Sequence, residues 1–246
     1  MVKGRTDQQQ QHSRTASQQW SYEGATAADN WGKLCTEFAQ CSLGRQQSPI
    51  DIDATVLPTA SQQIAIDLCY QPAPLCMRND GRMLIAACND NAGFMTANKQ
   101  RYRLVQFHFH LPSEHCVRAQ SYAMEIHLVH ENSAKQLAVV AVLVRQGPAH
   151  VAIAQLFKQL PNRTAHEGPT LLFDVGSLLP QQRGYFAYQG SLTTPPCTQG
   201  VQWYVMMQPI TADQQQLDSL LQAMGGRINS RPLQPLNGRT VWRCLP

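Results

Sequence analysis

From 63 to 88 short apolar runs alternate with turn signals, the pattern of strands. QIAIDLCY (63–70) is a first strand candidate, broken by Pro72 and Pro74. LCMR, then Asn79-Asp80-Gly81, then RMLIAAC reads as a β-hairpin around an Asp-Gly turn. Residues 93–111 and 121–130 supply further strands. LAVVAVLVR (137–145) is apolar throughout, as in a strand buried on both faces. GVQWYVM is a strand with Val201, Trp203 and Val205 on one side. Two segments change to a helical period. In 149–160 the apolar positions Val151, Ala154, Phe157 and Leu160 stop at Pro161. In the second, Thr211 caps a helix, Gln214 completes its capping box, and Leu217, Leu220, Leu221 and Met224 form the stripe before Gly225. Residues 20–48 and 176–192 read as irregular, and NSRPLQPLNGR closes the chain in extended, Pro-broken form. The sum is a mixed α/β, β-dominated fold with two peripheral helices.

Composition narrows the class. No linker-like composition divides the 246 residues, so 20–246 reads as one domain. Net charge is +4, with Lys and Arg scattered and no basic stripe, which argues against nucleic acid as a partner. No apolar run approaches the length of a membrane span. Residues 1–19 are polar, Gln-rich and lack an apolar stretch; they read as a disordered leader in which His12 has no role. Eight cysteines without a C-x-x-C tilt the chain toward an oxidising compartment. Asn162-Arg163-Thr164 is a formal glycosylation sequon, to which little weight attaches.

The candidate chemistry lies in residues 106–130, QFHFHLPSEHCVRAQSYAMEIHLVH. On a strand, Gln106, His108 and His110 share one face and Phe107, Phe109 and Leu111 the other. On a returning strand, Glu125, His127 and Val129 share a face. The return brings His127 beside the His108/His110 pair. Three neutral imidazoles around one point suit zinc and leave a fourth position for water. An H-x-H alone is equally the polar face of an ordinary strand. A ligating histidine, however, normally donates its second ring N–H to an orienting acceptor, and here one stands two residues before a histidine twice: Gln106 before His108, Glu125 before His127. His130 falls on the opposite face from His127, and His115 reads as structural, bonded locally.

QFHFH, PSEH, EIHLVH and SLTTPPC resemble the α-class carbonic anhydrases, and most of all their bacterial branch. WSYEG, CSLGRQQSPIDI, LAVVAVLV, GVQWYVM and NSRPLQPLNGR extend the resemblance from about Trp20 to Arg239. It implies a large central, mostly antiparallel, twisted sheet with the zinc at the bottom of a conical cleft. It implies reversible hydration of carbon dioxide to bicarbonate and a proton through a zinc-bound hydroxide. Thr193 then stands beside the nucleophile and Glu114 beside Thr193. Asn229 orients His110 through its backbone carbonyl. Val129, Val139, Leu192, Val201 and Trp203 line an apolar substrate pocket, although each is also a plain core residue. Tyr22, Thr194 and Arg82 lie at the rim, and Gln47 and Ser48 support the site from behind. Cys41 pairs with Cys197, a periplasmic or secreted location follows, and a homodimer is left open. Cys35, Cys69, Cys76, Cys88, Cys116 and Cys244 stay unassigned.

Two positions depart from the family pattern. Arg82 occupies the turn position of the histidine proton shuttle, and Ile85 replaces a polar cleft residue. The departures keep a second reading open, a weakly active or silent binding module of the same fold. A third is a different zinc hydrolase.

Overall fold

The structure is a computed structural model, and it describes residues 20–55, 57–59, 65–161 and 168–246. The leader at 1–19, the first residues of QIAIDLCY and the sequon lie outside the described residues.

Fourteen strands are found among the described residues: β1 (Asp51–Ile52), β2 (Ile66–Tyr70), β3 (Ala73–Asn79), β4 (Leu84–Cys88), β5 (Gly93–Ala97), β6 (Gln100–His110), β7 (Cys116–Val117), β8 (Met124–Glu131), β9 (Leu137–Gln146), β10 (Thr170–Phe173), β11 (Tyr185–Ser191), β12 (Gln199–Met206), β13 (Ile210–Ala212) and β14 (Trp242–Cys244). Short helices α1 (Trp31–Leu34) and α2 (Gln40–Leu43) lie in the entry segment, and α3 (Val151–Phe157) and α4 (Gln214–Ala223) later in the chain. One twelve-stranded sheet runs β10-β3-β4-β6-β8-β9-β12-β11-β14; β13 joins beside β9, and β5 links β2 to β6. It is antiparallel except where β12 and β13 run parallel to successive halves of β9. β1 and β7 form a separate parallel pair.

The central strands are buried on both faces, and the two faces do different work. One packs Phe107, Phe109, Leu128, Val140 and Val142 under Ile153 and Leu156 of α3 and Leu217 and Leu220 of α4. The other gathers Val129, Val139, Val201, Trp203 and Val205 with Ile50 and Ile52, Leu192 lying against them. Histidines interspersed among these strands on the second face are therefore held by a packed sheet on one side and aimed away from the helices.

The hairpin forms as expected, with the Asp80 carboxylate accepting the Arg82 and Met83 N–H groups and Gly81 at φ +84°. Pro74 falls inside β3, in a stretch that pairs only with β10; pairing with β4 begins at Leu75. A proline lacking an N–H fits there. Residues 93–111 are two strands joined at Asn98 and Lys99, both with positive φ, and not one.

Two further expectations are corrected. Residues 185–191 are not irregular but form β11, seated between β12 and β14. Burial on both faces removes the alternation that marks a half-exposed strand. Helix α4 is capped not by Thr211 with Gln214 but by Asp213 with Gln216. The Asp213 side chain accepts the Gln216 N–H and Gln216 Oε1 accepts the Asp213 N–H. Thr211 is held in β13 by its pairing with Arg145, so the helix starts two residues later. Gly225, at φ +72°, ends it as expected.

Candidate metal centre

Register places the histidines. β6 and β8 are antiparallel neighbours with His108 opposite His127 and His110 opposite Glu125. The rings lie with centroids 4.9 Å (His108–His110), 5.1 Å (His108–His127) and 4.5 Å (His110–His127) apart. One nitrogen from each lies within 4.8 Å of the others.

The other nitrogen of each ring is engaged. His108 Nδ1 donates to Gln106 Oε1 at 2.9 Å, and His110 Nδ1 to the Asn229 carbonyl at 2.7 Å. His127 Nε2 donates to Glu125 Oε1 at 2.8 Å. Each bond fixes a tautomer and leaves one lone pair: Nε2 on His108 and His110, Nδ1 on His127. His110 Nε2 is fully buried and has no hydrogen-bond partner. A buried polar atom in that condition points to a missing ligand. Burial, together with the neighbouring imidazoles, holds His108 well below the usual histidine range; burial brings His110 down to about 4 and lowers His127. The rings are neutral at pH 7, the state in which imidazole ligates a metal. Three converging neutral nitrogens with oriented tautomers fit zinc.

The supporting shell extends further than the sequence indicates. Glu125 accepts four hydrogen bonds: Oε2 takes the backbone N–H groups of Glu114 and His115, and Oε1 takes His127 and His115 Nδ1 at 2.7 Å. Burial alone pushes this carboxyl up, but His115 and His127 outweigh it and hold it well below the carboxylate range. An ionised Glu125 only accepts, so both imidazoles donate to it. His115 Nε2 must then accept the Tyr188 O–H, at 2.7 Å, and the Tyr188 oxygen the Ser48 O–H, at 2.8 Å. His115 is therefore not merely bonded locally; it links Ser48 and Tyr188 to a metal-facing ring. These contacts also account for the proximity of His115, Glu125 and His127.

Glu114 lies against the same rings, Oε2 3.9 Å from His127 Nδ1 and Oε1 3.5 Å from His110 Nδ1. Oε1 accepts the Arg231 N–H at 2.9 Å. Oε2 has no hydrogen-bond partner, and the Thr193 side chain lies near enough only to oppose slightly the upward push on the carboxyl. Burial pushes Glu114 up to about 7; a divalent cation, if held among the imidazoles, would oppose that shift.

Asn229 is tied on both sides, its Oδ1 accepting from Leu111 N and its Nδ2 donating to the Phe109 carbonyl. Val129, Val139, Val201 and Trp203 pack together beside the site with Leu192 at their margin, and the Trp203 ring lies 4.9 Å from His127. Thr194 is half-buried in the loop closed by its carbonyl and Cys197 N–H. Tyr22 is half-buried with its hydroxyl unpartnered. Arg82 lies in the hairpin turn, and Ile85 stands opposite His108. His130 faces away, accepting from the Tyr70 hydroxyl and donating to the Ala138 carbonyl. Cys41 and Cys197 form the disulfide; the six remaining cysteines are free thiols. Arg231, whose guanidinium donates to Gln47 Oε1 and to the Ser48 and Cys41 carbonyls, is a supporting residue that sequence reasoning did not single out. It lies within NSRPLQPLNGR, so the motif carried the signal without the role.

Comparisons with known proteins agree with this geometry. The family model described as eukaryotic-type carbonic anhydrase matches residues 26–244. A carbonic anhydrase of Klebsiella pneumoniae is 40% identical over 90% of this chain and 89% of its own length, and one of Neisseria gonorrhoeae 36% over 90% and 86%. The α-carbonic anhydrase of Thermovibrio ammonificans, solved with the inhibitor sulfanilamide, superposes with a TM-score of 0.87 at 34% identity, covering 91% of this chain and 98% of that one. A twelve-stranded sheet, three converging imidazoles and matches across nearly the whole length lead to one placement: the chain belongs to the eukaryotic-type, or α-class, carbonic anhydrase family.

Proposed function

We propose that this chain is a zinc enzyme that interconverts carbon dioxide and bicarbonate. The observation that carries the reading is the set of three oriented, neutral imidazoles with one buried nitrogen left unpartnered. His108, His110 and His127 would hold the ion, which when bound supplies a nucleophile at neutral pH by lowering the pKa of a water from about 15.7 to about 7, as is established for carbonic anhydrases.

The chain's own residues supply aim and an apolar berth. Ionised Glu114 only accepts, so the Thr193 hydroxyl donates to it. The Thr193 oxygen is then left to accept from the nucleophile, which turns a lone pair toward the substrate. The Thr193 backbone N–H serves as donor to the developing bicarbonate. Carbon dioxide is small and nearly apolar, and Val129, Val139, Leu192, Val201 and Trp203 offer it a matching wall. Arg82 stands where a titrating relay is needed, and a guanidinium holds its proton throughout the neutral range. Turnover is therefore limited by proton removal and depends on buffer. The Cys41–Cys197 bridge supports an extracytoplasmic location, and among the described residues no helix is long and apolar enough to cross a membrane.

Stopped-flow hydration with the zinc-loaded protein, after chelation and after zinc is restored, tests the assignment. Activity that disappears and returns with the metal is expected. A protein that binds one zinc per chain and does not hydrate carbon dioxide is a binding module instead.

A further inference from the structure

Trp203 packs on the face of the sheet that carries the histidines; the opposite face of β11 and β12 carries Ala187 and Tyr204 and opens into a groove. Register builds its floor. Gln189 of β11 lies directly opposite Gln202 of β12. Two residues along the same face, Ala187 lies between Tyr204 of β12 and Trp242 of β14, and its small side chain leaves room between the two rings. The turn joining β5 to β6 forms a facing wall, with Asn98 and Lys99 both at positive φ. Two cavities, of about 540 and 350 Å³, open here and share Asn98, Gln189 and Gln202 as walls. Both fall in the size range of small-molecule sites, about 300–1,000 Å³.

The lining is rich in amides. Six amide side chains line the larger cavity, and among the described residues no carboxylate lines either one. Three of the amides are held in one orientation. Asn132 is buried, and its Oδ1 accepts the Ala134 and Gln136 N–H groups. Its Nδ2 therefore donates, at 3.2 Å to Gln100 Oε1 and at 2.8 Å to Gln136 Oε1. Gln199 Oε1 accepts the Gln46 N–H at 2.6 Å. With these oxygens engaged, the NH2 groups of Gln100, Gln136 and Gln199 are left for a ligand. The amides of Asn98, Gln189 and Gln202 have no side-chain partner among the described residues and offer a donor and an acceptor each.

Charge decides against an ionic ligand. Lys135 and Arg239 are the cations of the lining; Lys99, beside Asn98, lines neither cavity. Lys135 pairs with Glu131 at 2.9 Å, and Arg103, which also reaches Glu131, is matched by Asp90. Arg239 donates to the carbonyls of Leu236, Gln189, Gln47 and Pro235, so its fork is spent on backbone. An oxyanion meets no free guanidinium here, and a metal ion meets no carboxylate. What the groove offers is a row of amides beside the half-buried indole of Trp242. A pyranose ring matches both. Its hydroxyls each donate and accept, and it has an apolar C–H face for the indole.

We propose that this groove binds a neutral oligosaccharide, with one sugar ring against Trp242 over Ala187 and further hydroxyls on the amide row. The groove and the histidines lie on opposite faces of the sheet, so the proposal is independent of the hydration reading.

Maltotriose, cellotriose and triacetylchitotriose are the probes, each titrated into the millimolar range with the zinc-loaded protein. At least one should bind saturably by calorimetry and saturation-transfer NMR. The accompanying change in tryptophan emission should vanish in Trp242→Phe. Gln189→Leu and Gln202→Leu should each weaken binding by about two- to tenfold. Asn98→Gly, which suits the positive φ of its turn, should do the same. Zinc content, melting temperature and hydration rate should be unchanged in these three variants, and Asn98→Gly keeps the test valid if a strand variant fails to fold. Failure of all three sugars to saturate would overturn the proposal, as would equal affinity in wild type and every amide variant. Tighter binding of the neutral peptide acetyl-Gly-Gln-Gln-Gly-amide than of any sugar would also overturn it and assign the groove to a peptide.

Discussion

At the residue scale each of the three converging rings is turned by one acceptor, Gln106, the Asn229 carbonyl or Glu125. Glu125 is the most connected of them, and its charge orients His127. Glu125→Gln should lower zinc affinity about 10- to 100-fold, read by competition with a chromophoric chelator. Thr193→Val should leave zinc affinity intact and reduce kcat/KM about 100-fold, because it misaims the nucleophile without touching a ligand. His130 offers a test outside the site. Burial brings it down to about 4, whereas in the unfolded chain it titrates near 6.5. Between those values the unfolded state binds more protons, so stability falls as pH drops through the window, by up to about 3 kcal/mol for this group. Urea denaturation of the metal-free protein at pH 7 and near pH 4 should show a smaller drop for His130→Gln than for wild type. The three histidines and two of their acceptors were legible because they recur with period two within single strands. Arg231 and Tyr188 were not, since they act on Gln47, Ser48 and His115 across 73 to 184 positions, and no local pattern records such a contact.

At the element scale the hairpin β3–β4 does the most to distinguish this chain. Its turn residues are those an Asp-Gly hairpin needs, and its loop delivers Arg82 to the stack on Trp20. Arg82→His should raise hydration turnover severalfold in weak buffer and little in concentrated buffer, as stopped-flow rates across a buffer series would show; equal rates at every concentration would refute the relay argument. Strands with one wet face, such as the first half of β6, announced themselves by alternation. β11 did not, because YFAYQGS is covered on both faces. The α4 boundary was legible to within two residues: Thr211 and Asp213 both offer a capping oxygen, and only the pairing of β13 with β9 decides between them.

At the scale of the whole molecule, family-level architecture was readable because its motifs span the sequence, whereas the parallel attachment of β12 and β13 to β9 has no signature in either strand. One covalent link crosses this architecture. Cys41–Cys197 joins positions 156 apart and ties the loop carrying Thr193 to α2. Replacing both cysteines by serine should cost about 2–5 kcal/mol of stability, measured by denaturant titration under non-reducing conditions, with zinc affinity less affected than turnover. The position of β14 has a different consequence. It pairs with β11, while Thr59 bridges to Arg243 on the same strand, so residues 242–244 are set between two segments that precede them in the chain. Pairing across so many intervening positions is slow beside a local hairpin. The slot next to β11 is therefore expected to close after hairpins such as β3–β4 and β8–β9 have formed.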